Sequence, residues 1–269
     1  MNERIAVIGA GNMAGALIGG LCSAGHPPSM IVATDPDPGR REAANRAFGV
    51  EVLADNRTAV SAAEVVILAV KPQVFDEVLQ EIAAALRADA LVISVAAGVP
   101  VRRIAGALGD GRAIVRAMPN TPALIGAGAT GVHYSPDCTE AHRAFVERLF
   151  GTVGICVEIT DESLMDVVTA VSGSGPAYFF ALTEALAEAG HQAGLAVDVA
   201  RRLAVQTAIG AGRMLAESGK SAEQLRRQVT SPGGTTEAAL DCLGRKGFGE
   251  LVQAAVDAAI ARGRQLGEH

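Results

Sequence analysis

The sequence predicts an α/β fold, a doubly wound parallel sheet in the first half, followed by an all-helical second half. Three observations predict it. Apolar, β-rich runs alternate with amphipathic stretches up to Thr160. Those runs have no polar face, as strands covered on both sides require. From Asp161 onward only helical periodicity remains. The boundary therefore falls at Thr160–Asp161, with domains over 1–160 and 161–269.

The predicted strands are Ile5–Ile8, Met30–Ala33, Val65–Val70, Leu91–Val95 and Ala113–Val115. Two more, Thr130–Tyr134 and Gly154–Ile159, flank a helix over Thr139–Phe150. The second half gives helices over Glu162–Ala170, Gly175–Gly190, Val197–Ala216, Ala222–Val229, Thr236–Arg245 and Phe248–Gln265. From Ala177 to Ala189 the only polar residues are Thr183, Glu184 and Glu188. A helix that apolar must be buried all round, and a domain of roughly a hundred residues has little capacity to cover it alone. A homo-oligomer built from dimers, the partner copy supplying the cover, is the expected state.

Composition narrows the function. Hydrophobic residues make up 49% of the chain and aromatic ones 3%, with no Trp, so elements must pack through Ala and Gly. The net charge of −6 and the lack of any basic run argue against nucleic acid or an anionic membrane as partner. Cys22, Cys138, Cys156 and Cys242 lie far apart with no metal-ligand spacing, so no metal site and a reducing cytoplasm are expected. The chain enters a strand-like run at Arg4, which predicts no signal peptide, and no apolar segment is long enough for a membrane span.

The first chemical signal is Gly9-Ala10-Gly11-Asn12-Met13-Ala14, which follows the first strand and opens a helix. In that context GxGxxA is a dinucleotide fingerprint, and the sheet is of the Rossmann type. Gly9 makes the turn, Gly11 admits the pyrophosphate and Ala14 lets helix and strand close up. Asp35, after the second strand, is placed to bind the ribose hydroxyls of NAD, whereas Thr34, Arg40 and Arg41 suit a 2′-phosphate. The two signals conflict. Three more loops fall at the same carboxyl edge: Ala69-Val70-Lys71-Pro72-Gln73, Ser94–Gly98 and Met118-Pro119-Asn120-Thr121-Pro122. Lys71 is one of only three lysines.

In the second half, Ser172–Tyr178 is a small, polar helix start, equally a cap and a resting place for a substrate. Glu162 reads locally as a first-turn acid of its helix. Thr230-Ser231-Pro232-Gly233-Gly234-Thr235-Thr236 reads as a helix start with Ser231 as N-cap and Pro232 in the first position. It also suits a small carboxylate, with bare N–H groups at a positive helix end and two hydroxyls beside them. Reducing a ketone requires an acid, usually His, Lys or Tyr, to protonate the alkoxide. All five histidines lie outside these motifs, and the helical half carries only Lys220 and Lys246. An iminium needs no such acid, so the sequence leans towards C=N over C=O.

Taken together, Gly9–Gly15, Ala69–Gln73, Ser94–Gly98, Met118–Pro122, Ser172–Tyr178 and Val229–Thr236 resemble the pyrroline-5-carboxylate reductases along the whole chain. The resemblance implies NAD(P)H-dependent reduction of the C=N bond of 1-pyrroline-5-carboxylate to L-proline, the final step of proline biosynthesis. It also implies a helical domain that interlocks with a second subunit. Gly9, Ala10, Gly11, Asn12, Met13, Thr34, Asp35, Pro36, Asn56, Ala69, Val70, Lys71, Pro72, Ala97 and Asn120 form the expected cofactor set, with Ala97 and Asn120 by the nicotinamide. Glu162, Ser231, Gly233, Gly234, Thr235 and Thr236 form the expected substrate set, and Thr236 is the catalytic candidate through a hydroxyl near the ring nitrogen. NADPH is the expected cofactor, with NADH possible, because Asp35 stands where the family often has a small hydroxyl residue. Two rivals stand beside this reading. A 3-hydroxyacid dehydrogenase-like enzyme would need a lysine on Gly175–Gly190, which has none. A non-catalytic sensor of dinucleotide or proline would use the same pocket.

Overall fold

The computed structural model describes residues 3–267. Eight strands form one sheet: β1 (Ile5–Ile8), β2 (Ile31–Thr34), β3 (Glu51–Leu53), β4 (Val65–Leu68), β5 (Leu91–Ser94), β6 (Ile114–Met118), β7 (Gly128–Tyr134) and β8 (Gly154–Glu158), in the order β3-β2-β1-β4-β5-β6-β7-β8. Pairs from β3 across to β6 are parallel, with Ile5 opposite both Ile31 and Val65. β4 and β5 are buried at every position. Alternate residues enter opposite layers, Ile5, Val7, Ile67 and Ile93 into one core and Ala6, Ile8, Leu68 and Val92 into the other. That is the period-2 geometry of a strand covered on both faces.

Helices α1 (Asn12–Ser23), α2 (Pro38–Phe48), α3 (Asn56–Ser61), α4 (Phe75–Ile82), α5 (Val101–Leu108) and α6 (Glu140–Gly151) connect the strands. Two features depart from expectation. β3 was not foreseen, because its three residues carry no apolar run and are only partly buried. β7 runs antiparallel to β6, since the connection from Pro119 to Ala127 is too short for a crossover between parallel strands.

The chain divides into two compact units, one reaching to Ser174 and resumed from Ala259, the other spanning Gly175–Ala258. In the first, the stretch expected as one helix over Glu162–Ala170 is a 3-10 turn (Glu162–Leu164), α7 (Met165–Val168) and a π turn (Thr169–Gly173) closed by Ser174 N–H donating to the Thr169 carbonyl at 2.8 Å. Of the helix start expected over Ser172–Tyr178, Ser172 and Gly173 belong to this π turn, and the helix begins at Gly175. The second unit contains α8 (Gly175–Gln192), α9 (Val197–Glu217), α10 (Ala222–Gln228), α11 (Thr235–Arg245) and the first part of α12 (Phe248–Gly267). The end of α8 packs on α9 where Gly190 meets Ala200. Little of this unit is buried. α8 hides only Gly175, and Phe179 and Phe180 are each 66% exposed. One chain does not supply the cover that α8 was expected to need. Among the described residues no helix is long and apolar enough to cross a membrane.

Candidate active site

The strand order reverses between β1 and β4, which opens a crevice at the carboxyl edge of the sheet. Gly9 and Ala69 flank it. Gly9 has φ +97°, and a Cβ there would lie 2.7 Å from the Ala69 carbonyl oxygen, so only glycine fits. Its N–H donates to the Thr34 carbonyl at 2.9 Å, tying the ends of β1 and β2. Gly11 is the N-cap of α1 and offers no side chain, and the N–H groups of Asn12, Met13 and Ala14 find no acceptor in the described chain. Nothing lies within 4 Å of where a Gly11 Cβ would stand. Packing does not require glycine here; an anion close to the backbone would. A cavity of about 1000 Å³ begins at this edge, where Ala10, Gly11, Asn12, Arg40 and Lys71 line it, and continues along α1 past Phe48 to Ser23 and Thr152.

The remaining residues of the expected cofactor set share that edge, following β2, β3, β4, β5 and β6 in turn. The Thr34 hydroxyl donates to Asn56 Oδ1 at 2.6 Å, and Asn56 Nδ2 donates to Glu81 at 2.8 Å. Pro36 is exposed, and Val70 and Ala97 are half-buried. Lys71 is exposed and extended, held there by Pro72, which opens a 3-10 turn. Asp35 is buried, its carboxylate accepting from the Ala10 N–H at 3.0 Å. Asn120 is buried too, accepting from Ala129 N–H and donating to the Ser172 carbonyl at 3.0 Å. That carbonyl would normally meet the N–H four residues on, which is Pro176 and has none.

Glu162 lies in an ionic cluster. Its Oε1 accepts from Val101 N–H at 2.7 Å, capping α5, and stands 3.4 Å from Arg116 Nη1, whose Nη2 is 3.2 Å from Asp166. Arg116 is buried. The other expected substrate residues lie together in the second unit. Here the capping expectation is corrected: α11 begins at Thr235 with Gly234 as N-cap, so Ser231 and Pro232 lie before the helix. Pro232 and a left-handed Gly233 (φ +71°) close a turn in which Gly234 N–H donates to the Ser231 carbonyl at 3.0 Å, the signature of type II. Gly233 N–H donates to Glu237 at 2.7 Å. The N–H groups of Thr235 and Thr236 and both hydroxyls have no partner among the described residues.

Cysteine chemistry has no support. Burial, reinforced by Glu147 and Glu158, pushes the Cys156 thiol up to about 11, and burial raises Cys22 and Cys138 as well. No group of His, Cys, Asp and Glu among the described residues is arranged for a metal ion.

Residues 162–266 match the family model for pyrroline-5-carboxylate reductase dimerisation, and residues 4–98 match one described as NADP oxidoreductase, coenzyme F420-dependent. A pyrroline-5-carboxylate reductase of Pseudomonas aeruginosa is 46% identical over 98% of this chain and 97% of its own. The chain belongs to the pyrroline-5-carboxylate reductase family. The structure of the reductase from Coxiella burnetii superposes with a TM-score of 0.94 at 39% identity, covering 99% of both chains. That of Plasmodium falciparum, solved with NADP bound, gives 0.87 at 29% identity over 99% of this chain and 98% of that one. As a member of the family, this protein is an oxidoreductase of the CH–NH group. It reduces the C=N bond of 1-pyrroline-5-carboxylate to L-proline with a nicotinamide dinucleotide.

Within this reductase, sequence reasoning missed three groups: Arg116, Asp166 and Glu237. The first two gave no signal, because a strand arginine and a helix aspartate fifty positions on do not reveal their pairing. Glu237 did. A Glu three residues after an N-cap is half of a capping box, but with Ser231 taken as the cap it fell out of register.

Proposed function

We propose that the carboxyl edge of the sheet binds NADPH in preference to NADH, and that the turn and first residues of α11 bind the substrate carboxylate. The Gly9–Gly11 loop and the open N–H groups of Asn12, Met13 and Ala14 hold the pyrophosphate. Thr34, Pro36, Asn56, Ala69, Val70, Lys71 and Pro72 flank the rest of the dinucleotide, with Ala97 and Asn120 towards the nicotinamide. Arg40, 55% exposed and only 3.7 Å from Asp35, is the cation available to a 2′-phosphate. Bound there, the reduced nicotinamide supplies the hydride.

The chain's own residues orient and neutralise. In this reading the Thr235 and Thr236 N–H groups grip the carboxylate, with Ser231, Gly233 and Gly234 shaping the turn. The Thr236 hydroxyl donates to the ring nitrogen as it becomes an amine, and Glu162 acts on the substrate side through the N-terminus of α5. Most of the acceleration is then proximity and orientation. The single observation that carries the reading is the run of donors at Thr235 and Thr236, at the start of α11, that have no acceptor among the described residues. Assembly through the helical unit into a homo-oligomer built from dimers completes the proposal, as does a cytoplasmic location.

The test follows absorbance at the nicotinamide band with pyrroline-carboxylate and either NADPH or NADH. Oxidation of both, faster at low cofactor concentration with NADPH, is expected. No oxidation of either cofactor overturns the assignment, and equal efficiency with both overturns the preference.

A further inference from the structure

An acid at the end of the second strand of such a sheet ordinarily accepts from the ribose hydroxyls. The surroundings of Asp35 do not suit that task. The residue is 5% exposed. Its Oδ2 accepts from the Ala10 N–H at 3.0 Å and its Oδ1 from the Asp37 N–H at 2.9 Å. Its carbonyl and that of Pro36 both accept from Arg41 Nη1, at 2.7 and 2.9 Å. The carboxylate is thus a staple between two loops of the edge, the fingerprint loop after β1 and the loop after β2. Among the described residues the cation that pairs with the carboxylate is Arg40, whose Nη1 stays 3.7 Å from Oδ2.

From this geometry we infer that Asp35 is a positioning residue, which fixes the fingerprint loop through the Ala10 N–H while Arg40 reads the ribose 2′-substituent. The inference rests on the nicotinamide reading above. Bound to backbone N–H groups through both oxygens, the carboxylate serves NADPH and NADH alike. Arg40 is held loosely, 3.7 Å from Oδ2 and 55% exposed, so its guanidinium is free to turn to a 2′-phosphate. Asparagine keeps the size of the side chain but accepts through only one oxygen, and its NH2 group faces a donor. Asp35→Asn therefore loosens the loop for both cofactors.

Titration calorimetry with NADP+ and NAD+ on the full-length protein separates the roles. Asp35→Asn is expected to weaken both cofactors by a similar factor, about tenfold, as loss of a charge-assisted hydrogen bond implies. Arg40→Ala is expected to weaken NADP+ by about tenfold and bring the two affinities together. In the unsubstituted protein without cofactor, the Ala10 amide is expected to be protected from hydrogen exchange, a readout that survives if Asp35→Asn fails to fold. A loss confined to NAD+ in Asp35→Asn makes Asp35 a ribose reader and overturns the inference, as does prompt exchange at Ala10. If the unsubstituted protein binds neither dinucleotide, the nicotinamide reading itself fails and takes the inference with it.

Discussion

The two units of this chain handle their polar and apolar groups in opposite ways. In the sheet unit the core is closed on both faces, and the polar side chains of the carboxyl edge find partners: Thr34 with the Asn56 side chain, Asp35 with the Ala10 N–H, Asn120 with the Ala129 N–H and the Ser172 carbonyl. Only the N–H groups opening α1 stay without an acceptor among the described residues, open to a ligand. In the helical unit Phe179, Phe180, Leu186 and Leu203 stay exposed, and the donors of Thr235 and Thr236 have no partner among the described residues. The first unit carries its organisation within one chain. The second leaves α8 uncovered, which a partner copy answers, and leaves donors open at the start of α11, which a substrate carboxylate answers in the proposed reading.

The largest expected effect attacks the apolar half of that contrast. Phe179→Asp combined with Phe180→Asp forfeits roughly 1.5–3 kcal/mol for each aromatic side chain that assembly buries, and adds the cost of burying two charges. Sedimentation velocity should show the dimer lost, with activity falling alongside. A stable, active dimer from the double variant would place the interface elsewhere.

Next comes the closed half. Arg116→Ala leaves Asp166 and Glu162, both only partly buried, without their counter-ion, at a cost of roughly 2–3 kcal/mol, below that of breaking a fully buried pair. Urea unfolding should register the loss. A change under about 1 kcal/mol would mean that water already screens the cluster.

A smaller effect is expected at the turn. Glu237→Ala removes the acceptor on Gly233 N–H and an acid from the first turn of α11, together about 1 kcal/mol. Thermal melting should shift down slightly, and no shift would show that the bond is not maintained in solution.

These particulars also show what the sequence could disclose. The sheet strands were legible because Ile5–Ile8 and Val65–Leu68 are apolar without a break, and the fingerprint because its glycines follow such a strand. β3 was hidden because it is short and half-buried. The direction of β7 was fixed by the length of its connection, information present in the sequence but visible only once both strand ends were known. The turn before α11 was legible but misaligned: Ser-Pro is a good helix start, yet Pro232 with left-handed Gly233 is a better turn, and the helix waits until Thr235. Pairings such as Arg116 with Asp166, or the engagement of Asp35 by Ala10, depend on tertiary proximity and leave no periodic trace.

Thr236→Ala tests the unengaged donors at the start of α11 directly. Steady-state kinetics with pyrroline-carboxylate and a parallel titration of NADPH form one measurement. The predicted result is a fall in kcat of about tenfold or more with the affinity for NADPH held within about twofold, as expected when a donor to the reacting group is removed. An unchanged kcat and KM would contradict it and take Thr236 out of the chemistry.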